Sequence, residues 1–534
     1  MRKLASGVLA AALLSGALLT GCSSDDPDPA PTSASSDATT DGPQSGGTLI
    51  WGSRSEPGNG GLDPFVAEVY RGTAIIALIY DTLVTKDDNG VIQPGIAASY
   101  TQVDGKTYQF TIREGVKFGD GSDLTVSDVI WSFEHHREAK GAGDAALAKL
   151  ESITEVTPGV VEFKFSDDNP AFLNNISRAT GDYFIVDQQW YEAASENDRQ
   201  ISVNGSGPFT LEAWEQGVEL RLVKNSYYWD TERIHLDGIT FKITGDDEGA
   251  LLALVQQGAV DAAWFWGAEY AQQAEDSGWT RGNAAYTSAR SLWIDPTFNN
   301  GALSDVRVRQ AISLAIDREQ VISLGTAGLG GITFVTPPAF TELAAPSATT
   351  PNYTRNVEQA KTLLAEAGVS DLEITLTYGT NTTDVSALEV IAQNLADAGI
   401  TLKLNGVPYA EVQNVFTTGA PFMSELIYVV GTKAADPAAA YTSWLTDGGL
   451  VSHWQNNPDA EAAKALLAQI NVETDPAVRI DLLNQLNAEV ADKVLILTPY
   501  ATPLAYHLWS SKVHGYQTDP QDGRVHLRDA WIEQ

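Results

Sequence analysis

The pattern of apolar and polar positions predicts strands and helices mixed along the chain. Thr48 to Trp51 form a short apolar run followed by a glycine, which is typical of a buried strand. Lys106 to Ile112 alternate between polar and apolar residues, and the preceding Asp104-Gly105 pair favours a tight hairpin turn. The first part of the chain is therefore expected to contain antiparallel strands.

A different succession begins near residue 374, where predicted strands alternate with predicted helices. Apolar positions favour strands over 374–378, 401–404 and 425–430, with helices over 388–398 and 411–416 between them. Such alternation implies right-handed parallel units, and ligands of open α/β sheets lie beyond the carboxyl ends of the strands. We therefore expect a ligand site in the loop from Gly431 to Tyr441, which follows the last of these strands.

Two further segments have the three-and-four spacing of helices with one buried face. Ser304 is expected to cap a helix that buries Val308 and Ile312. Asn356 is expected to cap a second helix, which Gly368 would close. Both patterns indicate core packing and mark no ligand site.

The N-terminal residues have the pattern of a secretory signal. Arg2 and Lys3 precede an uncharged, mostly apolar run from Leu4 to Leu19, which is too short for a comfortable membrane span. Leu19-Thr20-Gly21-Cys22 then resembles the lipobox of bacterial lipoproteins, and Cys22 is the only cysteine of the chain. We expect residues 1–21 to be a signal peptide and Cys22 to carry a lipid; a signal cleaved elsewhere is the alternative.

Composition and charge narrow the class of partner. Residues 23–47 are dominated by Ser, Thr, Asp, Pro, Gly and Ala, so we expect 22–46 to form a flexible tether after the lipid. The formal charge of the whole chain is −36, and such a surface repels nucleic-acid phosphates and anionic lipid headgroups. Nucleic acid is therefore excluded as a partner, and membrane contact is expected through the lipid anchor alone.

Four stretches of the chain together resemble one protein family. They are residues 104–129, Gly205 to Phe209, Leu303 to Ala311 and Ala360 to Leu364. In order and spacing they resemble the bacterial extracytoplasmic solute-binding proteins of the peptide/nickel class, family 5, which serve ABC importers. The resemblance implies an α/β fold of the two-lobed periplasmic-binding-protein type II, with an extra inserted domain.

The same resemblance implies lobes that are discontinuous in sequence. Residues 47–84, 201–290 and 498–534 would form lobe I, residues 291–497 lobe II, and residues 85–200 the inserted domain. A solute captured in the cleft between the lobes would be enclosed by hinge closure and delivered to the permease subunits of an importer on the extracytoplasmic face of the cell membrane.

The loop after the strand at 425–430 departs from the pattern of the family's peptide binders. Those proteins place an acidic residue, which holds the peptide's α-ammonium group, a few positions before an Asp-Pro pair. Asp436-Pro437 matches the pair, but the acidic position falls on Lys433, or on Thr432 if the loop has one extra residue. A lysine there would favour a carboxylate, phosphate or polar oxygen. The sequence leaves open whether Lys433 faces solvent and whether Asp436 only starts a turn.

Three tryptophans are candidates for the walls of the cleft. Aromatic rings such as those of Trp266, Trp293 and Trp444 stack on sugar or peptide faces, although core packing is the alternative for each of them. Peptides are the leading solute class from the resemblance. An oligosaccharide or other small polar solute is the alternative, and a metal chelate is a third hypothesis.

Catalytic and metal-binding patterns are missing from the sequence. It contains no Gly-x-Ser-x-Gly elbow and no His-Glu-x-x-His helix, and its seven histidines have no ligand spacing. We therefore expect a monomeric binding protein with no catalytic residue, metal or cofactor. A secreted hydrolase is the rival class, because 69 acidic residues leave many ways to pair two carboxylates.

Overall fold

The computed structural model describes residues 42–534 apart from 55, 59, 67–72, 88–90, 141–145, 148, 178–182, 246, 283–287, 299–300, 337–341, 432–435, 448, 450, 504 and 519–524. The predicted signal peptide, the lipidation site at Cys22 and most of the tether lie outside the described residues. So do Thr432 and Lys433 in the predicted ligand loop.

The strands are numbered in chain order. Their bounds are β1 Thr48–Ser53, β2 Val84–Lys86, β3 Ile92–Pro94, β4 Ala97–Gln102, β5 Thr107–Ile112, β6 Leu150–Thr157, β7 Val160–Phe165, β8 Phe209–Glu215, β9 Glu219–Lys224, β10 Gly238–Ile243, β11 Ala262–Phe265, β12 Thr280–Arg281, β13 Ser288–Ile294, β14 Glu373–Gly379, β15 Thr401–Val407, β16 Leu426–Val430, β17 Ile496–Thr502, β18 Tyr506–Trp509, β19 Val513–His514, β20 Gln517–Thr518, β21 Val525–His526 and β22 Trp531–Ile532.

The α-helices are numbered in the same way. Their bounds are α1 Thr73–Ile79, α2 Val126–Lys140, α3 Phe172–Ile176, α4 Gln188–Ala193, α5 Glu196–Ile201, α6 Glu248–Gln256, α7 Ala268–Asp276, α8 Val306–Ala315, α9 Arg318–Gly325, α10 Val357–Glu366, α11 Val385–Asp397, α12 Tyr409–Thr418, α13 Ala439–Leu445, α14 Glu461–Ile470 and α15 Pro476–Lys493.

The first sheet has the strand order β12-β18-β11-β1-β10-β9-β8. Its central strand, β1, pairs parallel with β10 on one side and with β11 on the other. Leu49 and Trp51 of β1 are buried in a core that draws on three separate parts of the chain, residues 49–80, 184–264 and 505–530. The apolar run at Thr48 to Trp51 is therefore a buried central strand, as predicted.

The second sheet has the strand order β15-β14-β16-β13-β17. β14 pairs parallel with β15, where Ile374 lies opposite Leu402, and with β16, where Leu376 lies opposite Leu426. The predicted parallel strands with helices α11 and α12 between them are confirmed. In the same sheet, β13 pairs antiparallel with β16 on one side and with β17 on the other.

The third sheet is antiparallel throughout, with the strand order β4-β5-β7-β6. β4 and β5 form the predicted hairpin, in which Gln102 lies opposite Tyr108. Its core draws on residues 83–185, without the long-range segments that build the first sheet. The proposed division into two lobes and an inserted domain stays a prediction.

One predicted helix cap is confirmed and another is wrong. The Asn356 side chain accepts a hydrogen bond from the N–H of the residue three positions on, at 3.0 Å, and Gly368 has the positive φ of 71° that a helix-closing glycine adopts. Ser304 does not cap α8. The chain makes a short 3-10 turn there, and Asp305 takes the cap by accepting a hydrogen bond from the N–H of Arg307 at 2.9 Å.

Candidate functional site

A cavity of about 650 Å³ opens between residues that follow strands of the first sheet and residues that follow strands of the second. This volume lies within the range of about 300 to 1,000 Å³ that is usual for small-molecule sites. The residues that line it are Arg54, Asp247, Glu248, Trp266, Gly267, Ala268, Glu269, Tyr270, Arg290, Leu324, Gly325, Thr326, Ala327, Asn381, Thr383, Asp384, Ser386, Thr502 and Tyr506.

The strand directions explain why the cavity lies where it does. In the first sheet, Arg54 follows β1, Asp247 follows β10 and Trp266 follows β11, and these three strands are parallel. In the second sheet, Asn381 and Asp384 follow the carboxyl end of β14. Both walls are therefore built at the carboxyl ends of parallel strands, where open α/β sheets hold their ligands.

A buried ion pair organises the wall of the first sheet. Arg54 Nη1 lies 3.3 Å from Glu248 Oε1, and the guanidinium stacks over the ring of Trp266 with its carbon 4.3 Å from the ring centroid. The Glu248 carboxylate also accepts hydrogen bonds from the backbone N–H groups of Trp266, at 2.6 Å, and Gly267, at 3.1 Å. Glu248 thereby fixes both the arginine and the turn that presents Trp266 to the cavity.

A second buried ion pair organises the opposite wall. Arg290 Nε lies 3.0 Å from Asp384 Oδ2, and Arg290 Nη1 donates a hydrogen bond to Ser288 Oγ at 2.6 Å. Asp384 Oδ2 accepts a further hydrogen bond from the Tyr428 hydroxyl at 2.6 Å. Although burial opposes its charge, the Asp384 carboxylate holds the pKa of Arg290 above its ordinary value. Burial, reinforced by the same carboxylate, raises the pKa of Tyr428 well above its ordinary value, so its hydroxyl remains a donor.

The two ion pairs leave an excess of negative charge in the cavity. The lining contains two arginines and four carboxylates, and each arginine is already matched by one carboxylate. The remaining two are exposed: Asp247 is the N-cap residue of α6, and Glu269 lies in the first turn of α7. The arrangement combines fixed charges, neutral hydroxyl and amide groups and the three aromatic rings of Trp266, Tyr270 and Tyr506, which suits recognition of a polar organic solute.

The structure separates the three candidate tryptophans. Trp266 lines the cavity. Trp293 packs edge-on against Phe416, with ring centroids 5.2 Å apart, and lies near Trp444 in the core of the second sheet. Trp444 is only 3% exposed, and its indole N–H donates to the Ala440 carbonyl at 2.9 Å. Core packing therefore accounts for the positions of Trp293 and Trp444.

Asp436, within the predicted ligand loop, forms a buried ion pair. Its Oδ1 accepts hydrogen bonds from Arg479 Nη2 at 2.7 Å and from the N–H of Ala438 at 2.8 Å. The side chain thereby starts the turn into α13 and is not among the residues that line the cavity. The roles predicted for Thr432 and Lys433 stay predictions, because both residues lie outside the described part of the chain.

Sequence reasoning did not single out Arg54, Glu248, Arg290 or Asp384. The signal that could have found Arg54 and Asp384 is their place after strands that the apolar pattern predicted, at 48–51 and 374–378: Arg54 follows β1 directly, and Asp384 lies in the loop between β14 and α11. Arg290 and Glu248 had no comparable signal, because Arg290 lies near the start of β13 and Glu248 in the first turn of a helix.

Comparison with known proteins decides the family. Residues 91–449, well over half of the chain, match the model for bacterial extracellular solute-binding proteins, family 5 (middle region). The chain belongs to this family. The resemblance carried by the four sequence stretches is thus confirmed, and members of the family are binding components of ABC importers without enzymatic activity.

Individual relatives agree with this assignment. The chain is 28% identical over 343 residues to the oligopeptide-binding protein AppA of Bacillus subtilis, a match that spans 62% of this chain and 61% of AppA. It is 26% identical over 381 residues to the periplasmic murein peptide-binding protein MppA of Escherichia coli, spanning 66% of this chain and 69% of MppA. The matched segment therefore spans less than two thirds of the length of AppA.

Solved structures show the same fold. The structure of AppA from Bacillus subtilis in complex with a nonapeptide superposes with a TM-score of 0.73 at 22% identity, covering 92% of this chain and 100% of AppA. The unliganded open form of MppA gives a TM-score of 0.75 at 21% identity, covering 92% of this chain and 97% of MppA. The predicted periplasmic-binding-protein type II fold is confirmed. In the part of the chain that the structure describes, no helix is both long and apolar enough to cross a membrane.

Proposed function

We propose that this family member captures a peptide-like solute in the cavity between the first and second sheets and delivers it to the permease subunits of an ABC importer. The observation that carries the proposal is the cavity itself, in which fixed charges and polar groups from both sheets converge at the carboxyl ends of parallel strands. The names of AppA and MppA, an oligopeptide-binding and a murein peptide-binding protein, favour peptides as the solute class.

Capture is proposed to involve closure of one lobe on the other. The two walls belong to different sheets, so a solute that contacts Trp266 on one wall and Arg290 on the other binds the closed arrangement better than the open one. The binding energy that differs between the two arrangements drives closure. The protein is proposed to act as a monomer, held to the cell membrane by a lipid on Cys22 through the tether at 22–46.

An oligosaccharide is the second candidate solute. Trp266 and Tyr270 both line the cavity, and aromatic rings of this kind stack on sugar faces. The ion pairs of the cavity favour a charged solute over a neutral sugar, so a peptide is the preferred candidate and an oligosaccharide the second.

Thermal unfolding of the full chain against separate pools of peptides, oligosaccharides and metal chelates tests the proposal. A solute at about 100 times its Kd stabilises the folded state by about 2.7 kcal/mol, which for a chain of this size raises Tm by about 2 to 3 °C. A rise with peptides alone is expected. A rise with sugars or chelates and none with peptides would contradict peptide capture, and unchanged Tm in every pool would contradict all three solute classes.

A further inference from the structure

Arg290 has hydrogen-bonding capacity that the described part of the chain does not use. Its side chain is 6% exposed, yet it lines the cavity. Nη1 donates to Ser288 Oγ, but Nε, although 3.0 Å from Asp384 Oδ2, has no aligned acceptor, and Nη2 makes no hydrogen bond to any described residue. A buried guanidinium group with unused donors is costly unless another acceptor satisfies it.

The surroundings of Arg290 hold its side chain in place. Asp384, which pairs with it, is itself held by the Tyr428 hydroxyl at 2.6 Å, and Ser288 fixes Nη1 from the same strand, β13. A guanidinium group has five N–H donors in a planar fork and can serve two carboxylates at once. Arg290 is therefore pre-organised to accept a second carboxylate, which would come from the solute.

The opposite wall has the complementary charge. Asp247 and Glu269 line the cavity from the side of the first sheet, and both are exposed. Asp247 Oδ1 caps α6 by accepting from the N–H of Ala250 at 3.0 Å, while Glu269 has no ion-pair partner among the described residues. These two carboxylates give the first wall a negative charge that a cationic group of the solute can neutralise.

We propose that Arg290 binds a carboxylate of the solute while Asp247 and Glu269 attract its cationic end, so that the protein selects zwitterionic peptides with a free C-terminus. This inference rests on the proposed function, because it assigns the recognition groups of the same cavity. It also predicts that peptides with blocked ends bind weakly, since a C-terminal amide offers Arg290 no charge and an N-acetyl group offers the acidic wall none.

A purely structural Arg290 would behave differently. In that case the ion pair with Asp384 would only fasten β13 to the start of α11, and its removal would weaken the binding of every peptide to the same degree. Recognition of a carboxylate instead predicts coupling between Arg290 and the C-terminal group of the peptide. A double-mutant cycle, in which Arg290 and the C-terminal group of the peptide are changed separately and together, distinguishes the two roles.

The test uses randomised tripeptide pools in three forms, with both ends free, with a C-terminal amide and with an N-terminal acetyl group. Apparent Kd values come from the concentration dependence of Tm for the full-length wild-type protein, Arg290→Gln and Arg290→Lys. Arg355→Gln is the matched control, because Arg355 pairs with Asp397 on the surface and does not line the cavity.

We expect wild-type protein to bind the amide pool about tenfold to a hundredfold more weakly than the free pool, the usual effect of losing one charged hydrogen bond. Arg290→Gln should weaken binding of the free pool by a similar factor and leave binding of the amide pool unchanged. Arg290→Lys keeps the positive charge but not the planar guanidinium group, so it should lose part of the affinity for the free pool. If Arg290→Gln does not fold, Arg290→Lys provides the same test. Asp247→Asn combined with Glu269→Gln should abolish the preference for the free pool over the acetyl pool.

Two results would overturn the inference while leaving peptide capture intact. One is equal binding of the free and amide pools by the wild-type protein. The other is an equal loss for both pools in Arg290→Gln or Arg290→Lys. The proposed function fails in a different way, because no pool would then raise Tm in the wild-type protein.

Discussion

Replacing Arg309 by methionine should destabilise the second sheet and its helices more than any surface charge deletion. Arg309 lies on α8, within the stretch Leu303 to Ala311 that resembles the family, and its side chain is fully buried. The guanidinium group satisfies several acceptors at once, with donor–acceptor distances of 2.7 to 3.2 Å to Lys493 O, Val494 O, Leu303 O, Ser304 O and Asp459 Oδ2.

The magnitude follows from what the substitution leaves behind. Methionine has a similar length but no donor, so four backbone carbonyls and the Asp459 carboxylate lose their partner together. The Asp459 side chain is 26% exposed, so water replaces part of its lost partner. A buried acceptor left without a donor costs about 1 to 3 kcal/mol, so the loss of the carbonyl partners together should cost about 3 to 5 kcal/mol. The entropy of unfolding is about 2.1 cal/mol/K per residue, or roughly 1 kcal/mol/K for a chain of this size, so Tm should fall by about 3 to 5 °C.

Scanning calorimetry of wild-type protein, Arg309→Met and Arg307→Met provides the assay. Arg307 is two residues away and also pairs with a carboxylate, that of Asp305, but its side chain is 42% exposed. Its removal should cost less than about 1 kcal/mol, hence less than about 1 °C. Equal shifts in the two variants, or a shift below about 1 °C for Arg309→Met, would refute the view that Arg309 is a buried hydrogen-bond centre that stabilises the second sheet and its helices.

Three further predictions concern other parts of the chain. Arg479→Ala leaves the buried Asp436 carboxylate without its ion pair and should cost about 3 to 5 kcal/mol in urea unfolding, whereas Arg355→Ala at an exposed pair should cost less than about 1 kcal/mol; equal costs would contradict the burial argument. Burial lowers the pKa of His135, so the stability it contributes is present above its unfolded pKa of about 6.5 and is lost as the pH falls through that value towards the folded one. Between pH 7.5 and 5, Tm should therefore fall less in His135→Gln than in wild type, and parallel curves would contradict this. Cys22→Ser should move the protein from the membrane fraction to the soluble fraction of cells, and continued membrane association would contradict lipid anchoring.

The elements that sequence patterns predicted are those held by local chemistry. The hairpin at Asp104-Gly105 and the helix between Asn356 and Gly368 depend on turn and cap residues that lie within a few positions of one another. The parallel strands of the second sheet were predictable for a related reason, because each apolar strand lies next to its helix in the sequence. Ser304 shows where prediction from local patterns fails. The cap of α8 is Asp305 and not Ser304, because the chain forms a 3-10 turn before the helix that the sequence pattern did not indicate.

The cavity depended on contacts that no local pattern contains. Arg290 and Asp384 are 94 positions apart in the sequence and meet only when β13 and α11 join the second sheet. Trp266 and Trp444 are chemically alike, and the sequence offers no means of telling that one lines the cavity and the other packs in the core. Composition indicates which residue types can form a site, but long-range packing decides which of them face it.

The distance across the cavity, measured with and without peptide, tests the central claim most directly. Spin labels on Gln273→Cys of α7 and Glu389→Cys of α11, in a Cys22→Ser background, report on the two walls; both positions are exposed, and neither lines the cavity. Double electron–electron resonance should show a population with a shorter distance between the labels when peptide is added. This population should saturate over the same peptide concentrations that raise Tm. An unchanged distance in a protein that demonstrably binds peptide would contradict capture between the two sheets.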